Sequence, residues 1–249
     1  MKTKFSVLAG VVALSCVSLP SLAAPIFWTD WTTADFSNGA TVQGTITTGS
    51  SSVNVTYTNP QGIGFAQLGA GIDYFTDSVG NRDVATSPFT STAVDNIPTA
   101  AEMIGLVNAG RQSLHFSEAI ANPVFSYVSL NGNGYAFDRD FTILSFGDAS
   151  NGNACGYWGC GTSYKQVVDL GGGNFQYQLL GDGEPHGTIQ FLGAFQDVSW
   201  VSLSSENWNG FTLGVQGTAV EVFDAPEPGS LVLLGMGLLA MGAARRRKA

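Results

Sequence analysis

Apolar residues in this chain come in short runs, and Gly, Asn, Asp and Ser stand between them. Runs at 53–57, 123–130, 141–146, 166–170, 175–180, 188–192, 198–203, 211–215 and 219–223 have strand length and are rich in β-branched and aromatic residues. Asn131-Gly132-Asn133-Gly134, Gly147-Asp148, Gly171-Gly172-Gly173-Asn174 and Gly181-Asp182-Gly183 supply turn chemistry between them. About ten strands at this spacing predict an all-β chain, an antiparallel β-sandwich of jelly-roll type. One short helix is expected to begin at Thr99. There Thr99-Ala100-Ala101-Glu102 has capping-box spacing, with Met103, Ile104, Leu106 and Val107 behind it and Gly110 as a stop. The scattered 32 Gly lack a collagen period, and 44% hydrophobic content excludes a wholly disordered chain.

Charge divides the 249 residues into three parts. Six of the ten bases are terminal: Lys2, Lys4, Arg245, Arg246, Arg247 and Lys248. Residues 25–225 hold four bases, Arg82, Arg111, Arg139 and Lys165, against 18 acids, a net −14. Such a body has no basic face for nucleic acid.

The N-terminal end has the form of a secretory signal: Lys2 and Lys4, an apolar run over 5–17, Pro20, then small residues ending at Ala23. Cleavage is expected after Ala23, which makes 1–23 a signal peptide read by the secretion machinery and signal peptidase. A lipoprotein signal at Cys16 is the rival, weakened because Leu14 stands one place late for a lipobox. At the other end, Pro226-Glu227-Pro228 precedes an apolar stretch over 231–244 and then Arg245-Arg246-Arg247-Lys248. As a helix, that stretch reaches about 21 Å, short of a ~30 Å hydrocarbon core. The bases would stay cytoplasmic. The physical expectation is a marginal, temporary inner-membrane anchor.

This three-part tail resembles the PEP-CTERM sorting signal of exopolysaccharide-making Gram-negative bacteria, which also goes under the name ice-binding protein C-terminal domain. Pro226, Glu227 and Pro228 match the sorting motif, 231–244 the helix and Arg245, Arg246, Arg247 and Lys248 the basic end. The resemblance implies recognition by an exosortase at the inner membrane, removal of the tail, and delivery to the cell surface or extracellular matrix. The body, through Gly187-Thr188-Ile189-Gln190-Phe191 and residues 206–214, also resembles a secreted domain that recurs beside this tail. That likeness implies export and β architecture, and no particular activity. The expected organisation is a signal peptide over 1–23, a β-sandwich ectodomain over 24–225 and a sorting tail over 226–249.

Within the body, Cys155 and Cys160 flank Gly156-Tyr157-Trp158-Gly159. In an exported chain a disulfide is the default. A redox or metal pair is the alternative, disfavoured because the spacing is not C-x-x-C. Trp158 in that loop and Trp208 in Glu206-Asn207-Trp208-Asn209-Gly210 are candidate ligand-stacking rings, whereas Trp200 reads as core. Asp138 and Asp140 would share a face if extended and could join a ligand site. Asp182, Glu184 and His186 alternate in the same way, so calcium or another cation is an alternative to no cofactor; the competing reading is a solvated turn. His115 lies in a strand run, where a structural imidazole is the commoner case. No nucleophile elbow, phosphate loop, zinc-hydrolase pair or dinucleotide fingerprint is present. The expected protein is therefore a non-enzymatic exported sandwich that serves in adhesion or carbohydrate binding, with extracellular polysaccharide as partner. A polysaccharide hydrolase using Asp138, Asp140, Glu184 or Glu206 is the alternative. Ice binding through Thr45-Ile46-Thr47 and Thr56-Tyr57-Thr58 is a third, and it lacks a long repeated Thr array.

Overall fold

The computed structural model describes residues 25–224. The predicted signal, the Pro226-Glu227-Pro228 motif, the 231–244 stretch and the basic end at Arg245, Arg246, Arg247 and Lys248 lie outside the described residues. Among the described residues no helix is long and apolar enough to cross a membrane.

The chain begins with β1 (Phe27–Trp28), β2 (Asp30–Asp35), β3 (Ala40–Thr47), β4 (Ser52–Asn59) and β5 (Phe65–Leu68). After a long loop come β6 (Glu102–Leu106), β7 (Gly110–Ala121), β8 (Val124–Val128), β9 (Tyr135–Phe137) and β10 (Thr142–Phe146). The last strands are β11 (Gly161–Gly171), β12 (Asn174–Gly183), β13 (Gly187–Gln190), β14 (Ala194–Ser202), β15 (Asn209–Val215) and β16 (Gly217–Thr218), before α1 (Ala219–Phe223). They form two antiparallel sheets. One runs β10-β13-β8-β15-β6-β5 with β1 also on β15; the other runs β11-β12-β9-β14-β7-β4-β3-β2 with β16 on β7. From β6 onward every connection except the β11–β12 hairpin crosses from one sheet to the other. This is the expected jelly-roll-type sandwich.

Period-two burial explains the larger sheet: β3 alternates Ala40, Val42, Gly44 and Ile46 inward with Thr41, Gln43, Thr45 and Thr47 outward. Its inner face meets the smaller sheet over an aromatic centre. Phe125 stacks on Phe211 at 4.9 Å, and Trp200 stands edge-on to both at 5.3 and 5.1 Å. Trp200 is core, as expected.

The smaller sheet differs, because β6, β8, β13 and β15 are buried at every position. Both faces of this sheet are therefore covered. The second cover is the segment over residues 69–101, which has no regular strand or helix yet contributes Phe75, Phe89 and Ile97 to a cluster with Met103 and Val128. Val94 packs with Ile26 and Val124 beside it. Asx turns hold this loop: Asp73 accepts from the Phe75 N–H, Asp77 from Val79 and Asp83 from Ala85.

Two sequence expectations exchange places. The helix expected from Thr99 is strand β6. Its apolar run is buried on both sides, Gly105 lies so close to the Phe65 ring that a Cβ would meet it at 2.3 Å, and the Glu102 carboxylate accepts from the Trp31 N–H at 2.7 Å instead of capping a helix. Conversely, 219–223, read as a strand, is α1. The Glu221 N–H donates to Thr218 Oγ1 and the Thr218 N–H donates to Glu221 Oε2, which completes a capping box. Desolvation is the largest single influence on the Glu221 carboxyl and pushes it up, but Glu221 also accepts from Ser50 and Thr48, and these bonds with the Thr218 cap together outweigh it and hold the carboxyl down at about 2.

Candidate functional site

A disulfide joins Cys155 to Cys160, as the sequence leads one to expect in an exported chain. The loop is a tight one: the Gly159 N–H donates to Gly156 O at 3.1 Å. It sits on the segment that follows β12. The Glu184 N–H donates to Cys160 O at 3.0 Å, and the Gly161 N–H donates to Gly147 O at 3.1 Å. Gly156 lies flat on the His186 ring, where a Cβ would fall 2.2 Å from two ring carbons. Glycine is therefore required by close approach, and the seat directs Tyr157 and Trp158 outward.

Those rings meet aromatics from two other segments. Tyr74, from the 69–101 loop, stacks on Trp158 with centroids 6.3 Å apart and stands edge-on to Tyr157 at 5.0 Å. Trp208, between β14 and β15, lies 4.8 Å from Tyr74 and 6.2 Å from Trp158, and is braced from below by Phe65 at 5.3 Å. Trp158 is 51% exposed, while Tyr74, Tyr157 and Trp208 are half-buried. The result is a surface platform of four rings.

Polar groups border the platform. Glu184 accepts from Ser129 Oγ at 2.8 Å and from the Asn131 amide. The Ser129 N–H donates to His186 Nδ1 at 3.1 Å; burial drives the His186 pKa down to about 3, so the ring is neutral. Glu206 accepts from the Asn209 amide through Oε1, while Oε2 is buried with no hydrogen-bond partner among the described residues. Desolvation pushes Glu206 up to about 7, against the lowering influence of the Asn209 and Asn133 amides nearby, and the neighbouring Glu184 carboxylate adds to the rise. The rise brings this carboxyl's titration from the usual carboxylate range toward neutral pH. Asn209 in turn accepts from the Tyr135 hydroxyl, which ties Glu206 to the core.

The sequence candidates divide. Trp158 and Trp208 come together. Asp138 and Asp140 do not join them: they lie past the far end of β9 in a bend, not an extended run. Asp138 approaches Ser199 Oγ at 3.4 Å and Arg139 at 3.9 Å, whereas Asp140 pairs with Lys165 at 2.8 Å. Asp182, Glu184 and His186 are split by exposure. Asp182 is exposed opposite Thr162, Glu184 borders the platform and His186 is fully buried beneath the loop. Among the described residues no group of three His, Cys, Asp or Glu side chains is arranged to hold a metal ion. The Gly181-Asp182-Gly183 turn expected there is the end of β12, paired with Gly161, Thr162 and Ser163. His115 is on a strand, as read, but exposed and bonded to Asp197 at 2.8 Å. Sequence reasoning missed Tyr74, Ser129 and Asn133. Tyr74 had one local signal, an aromatic pair with Phe75 inside a Gly- and Asp-rich stretch; the others had none.

No curated protein and no solved structure matches the chain. Residues 224–248 match the PEP-CTERM protein-sorting motif, so the chain carries the tail by which exosortase recognises exported proteins.

Proposed function

We propose that this exported protein is delivered through its tail to the cell surface or exopolysaccharide matrix, and that its sandwich body binds carbohydrate there without chemical turnover. In this reading the 231–244 stretch anchors the chain briefly in the inner membrane while exosortase acts at Pro226, Glu227 and Pro228. One observation carries the binding proposal: Tyr74, Tyr157, Trp158 and Trp208 converge from three distant segments into one accessible platform. Ring faces pack against the apolar C–H face of a sugar, and the flanking Asn131 and Glu184 offer hydroxyl partners. The acidic body disfavours anionic partners such as nucleic acid.

Glu206 favours a second reading. A carboxyl whose pKa burial raises, with the Glu184 carboxylate as its neighbour, is the kind of unequal carboxyl pair from which glycoside hydrolysis draws an acid and a base. A glycan array with residues 25–225, followed by titration of the best glycan with and without calcium, separates the readings. Trp158→Ala and Trp208→Ala should each weaken binding about tenfold with no release of reducing ends. Unchanged binding in both variants defeats the platform. Reducing ends released by wild type and lost in Glu206→Gln establish the hydrolase, and binding that requires calcium reinstates a metal role for Asp182 and Glu184.

A further inference from the structure

The free edges of the two sheets are not equivalent. β2, at one end of the larger sheet, is short, bulged between Trp31 and Thr33, and carries Asp30 and Asp35. β5 has four residues, and β10 is bulged between Ile143 and Ser145. Charge, bulges and shortness are the usual protections of an edge against pairing with another strand. β11, at the opposite end of the larger sheet, spans eleven residues without proline, and its bulge and its one acid, Asp169, lie at its far end, so the stretch before them is regular and uninterrupted. Tyr164 (46%), Val167 (50%) and Leu170 (62%) are exposed on it. Its one cation, Lys165, is drawn back to Asp140 at 2.8 Å and to Phe141 O at 2.9 Å.

We propose that β11 pairs antiparallel with β11 of a second copy, joining two nine-stranded sheets edge to edge about a twofold axis at Val167. Two observations select this register independently. The first is extent. The accessible stretch is bounded by buried Ser163, which accepts from the Tyr127 hydroxyl, and by the bulge between Asp169 and Gly171. The stretch 164–170 has its midpoint at Val167. The second is charge. Lys165, Val167 and Asp169 share one face of the strand by its period of two. Antiparallel pairing centred on Val167 sets Lys165 of each copy opposite Asp169 of the other, around a Val167–Val167 contact; on pairing, each Lys165 ammonium exchanges Asp140 for the facing Asp169, whose Oδ1 keeps its bond from the Gly171 N–H. On the other face, Tyr164 comes beside the other copy's Leu170. Paired positions differ by an even number, so backbone groups that face outward on one strand meet those that face outward on the other.

Sedimentation of the full-length chain in neutral detergent tests the assignment. Wild type should pass from monomer to dimer over about 10–500 µM. Asp169→Lys, which sets Lys against Lys, should weaken the dimer at least about tenfold. Lys165→Asp should do the same, and mixing the two variants should restore dimers, because the swapped charges complement each other. Val167→Cys, at the axis, should oxidise to a covalent dimer, whereas Gln176→Cys on β12 should not. A wild type that stays monomeric, an Asp169→Lys variant that dimerises unchanged, or a mixture that stays monomeric overturns the proposal.

Discussion

Glu102 and Glu206 are two carboxyls taken out of water for different ends. Glu206 borders the aromatic platform. Glu102, 3% exposed, ties β6 to the start of β2 through the Trp31 N–H, and desolvation lifts its pKa from 4.5 to about 7, with Asp30 adding to the rise. A carboxyl with a raised folded pKa holds its proton more tightly in the folded chain than in the unfolded one. Its contribution to stability is complete below pH 4.5 and is lost as the pH rises through 7. Glu102→Gln should remove that loss. Denaturant unfolding of wild type and variant should show a gap that opens in the variant's favour between pH 4.5 and 7, on the order of 3 kcal/mol, and then stays level. A gap that does not change with pH would mean that Glu102 ionises as freely as it does in water. The sequence marks Glu102 as a helix cap and Glu206 as one of several candidate acids, but nothing in it marks either as buried. Burial is a tertiary property, and the backbone neighbour of Glu102 lies 71 positions away.

At the scale of elements, the stapled loop and the helix teach opposite lessons. Cys155-Gly156-Tyr157-Trp158-Gly159-Cys160 is legible because every determinant of the loop is local: thiols, glycines and a short closure. What it rests on is not legible. Gly156 is required by the His186 ring, a contact made 30 positions downstream. Gly156→Ala should lift the loop, misplace Tyr157 and Trp158, and weaken glycan binding severalfold even though an alanine methyl touches no ligand; titration beside a circular dichroism check of folding measures it. Binding equal to wild type would show that the loop's seat is dispensable. The exchanged helix and strand have a related cause. Thr99…Glu102 and Thr218…Glu221 carry the same capping spacing, but a two-residue-period environment buried on both faces claims the first, and tertiary burial outweighs the cap. Only the second keeps its glutamate for the cap, with Ser50 and Thr48 as added donors.

Over the whole molecule, the smaller sheet is covered twice, by the larger sheet and by the 69–101 loop, so one chain of modest size supports two cores. That loop also brings Tyr74 to the platform; fold and candidate site thus share a segment that the apolar pattern passes over. The tail belongs to this scale as well, because the sorting motif matched at residues 224–248 acts on the chain as a whole. Replacing Pro226, Glu227 and Pro228 with alanine should leave the body folded but alter its membrane retention and mature mass; fractionation and intact-mass measurement read both, and identical results for variant and wild type would refute sorting through this motif. Sequence alone determined the β class, the exported destination and the disulfide, because each rests on residues adjacent in the chain: period-two runs, a contiguous address and two nearby thiols. Tertiary structure alone decided which faces are buried twice, which apolar run became helix or strand, and which rings share a surface. Those outcomes depend on contacts between residues tens to more than a hundred positions apart, and no local pattern encodes them.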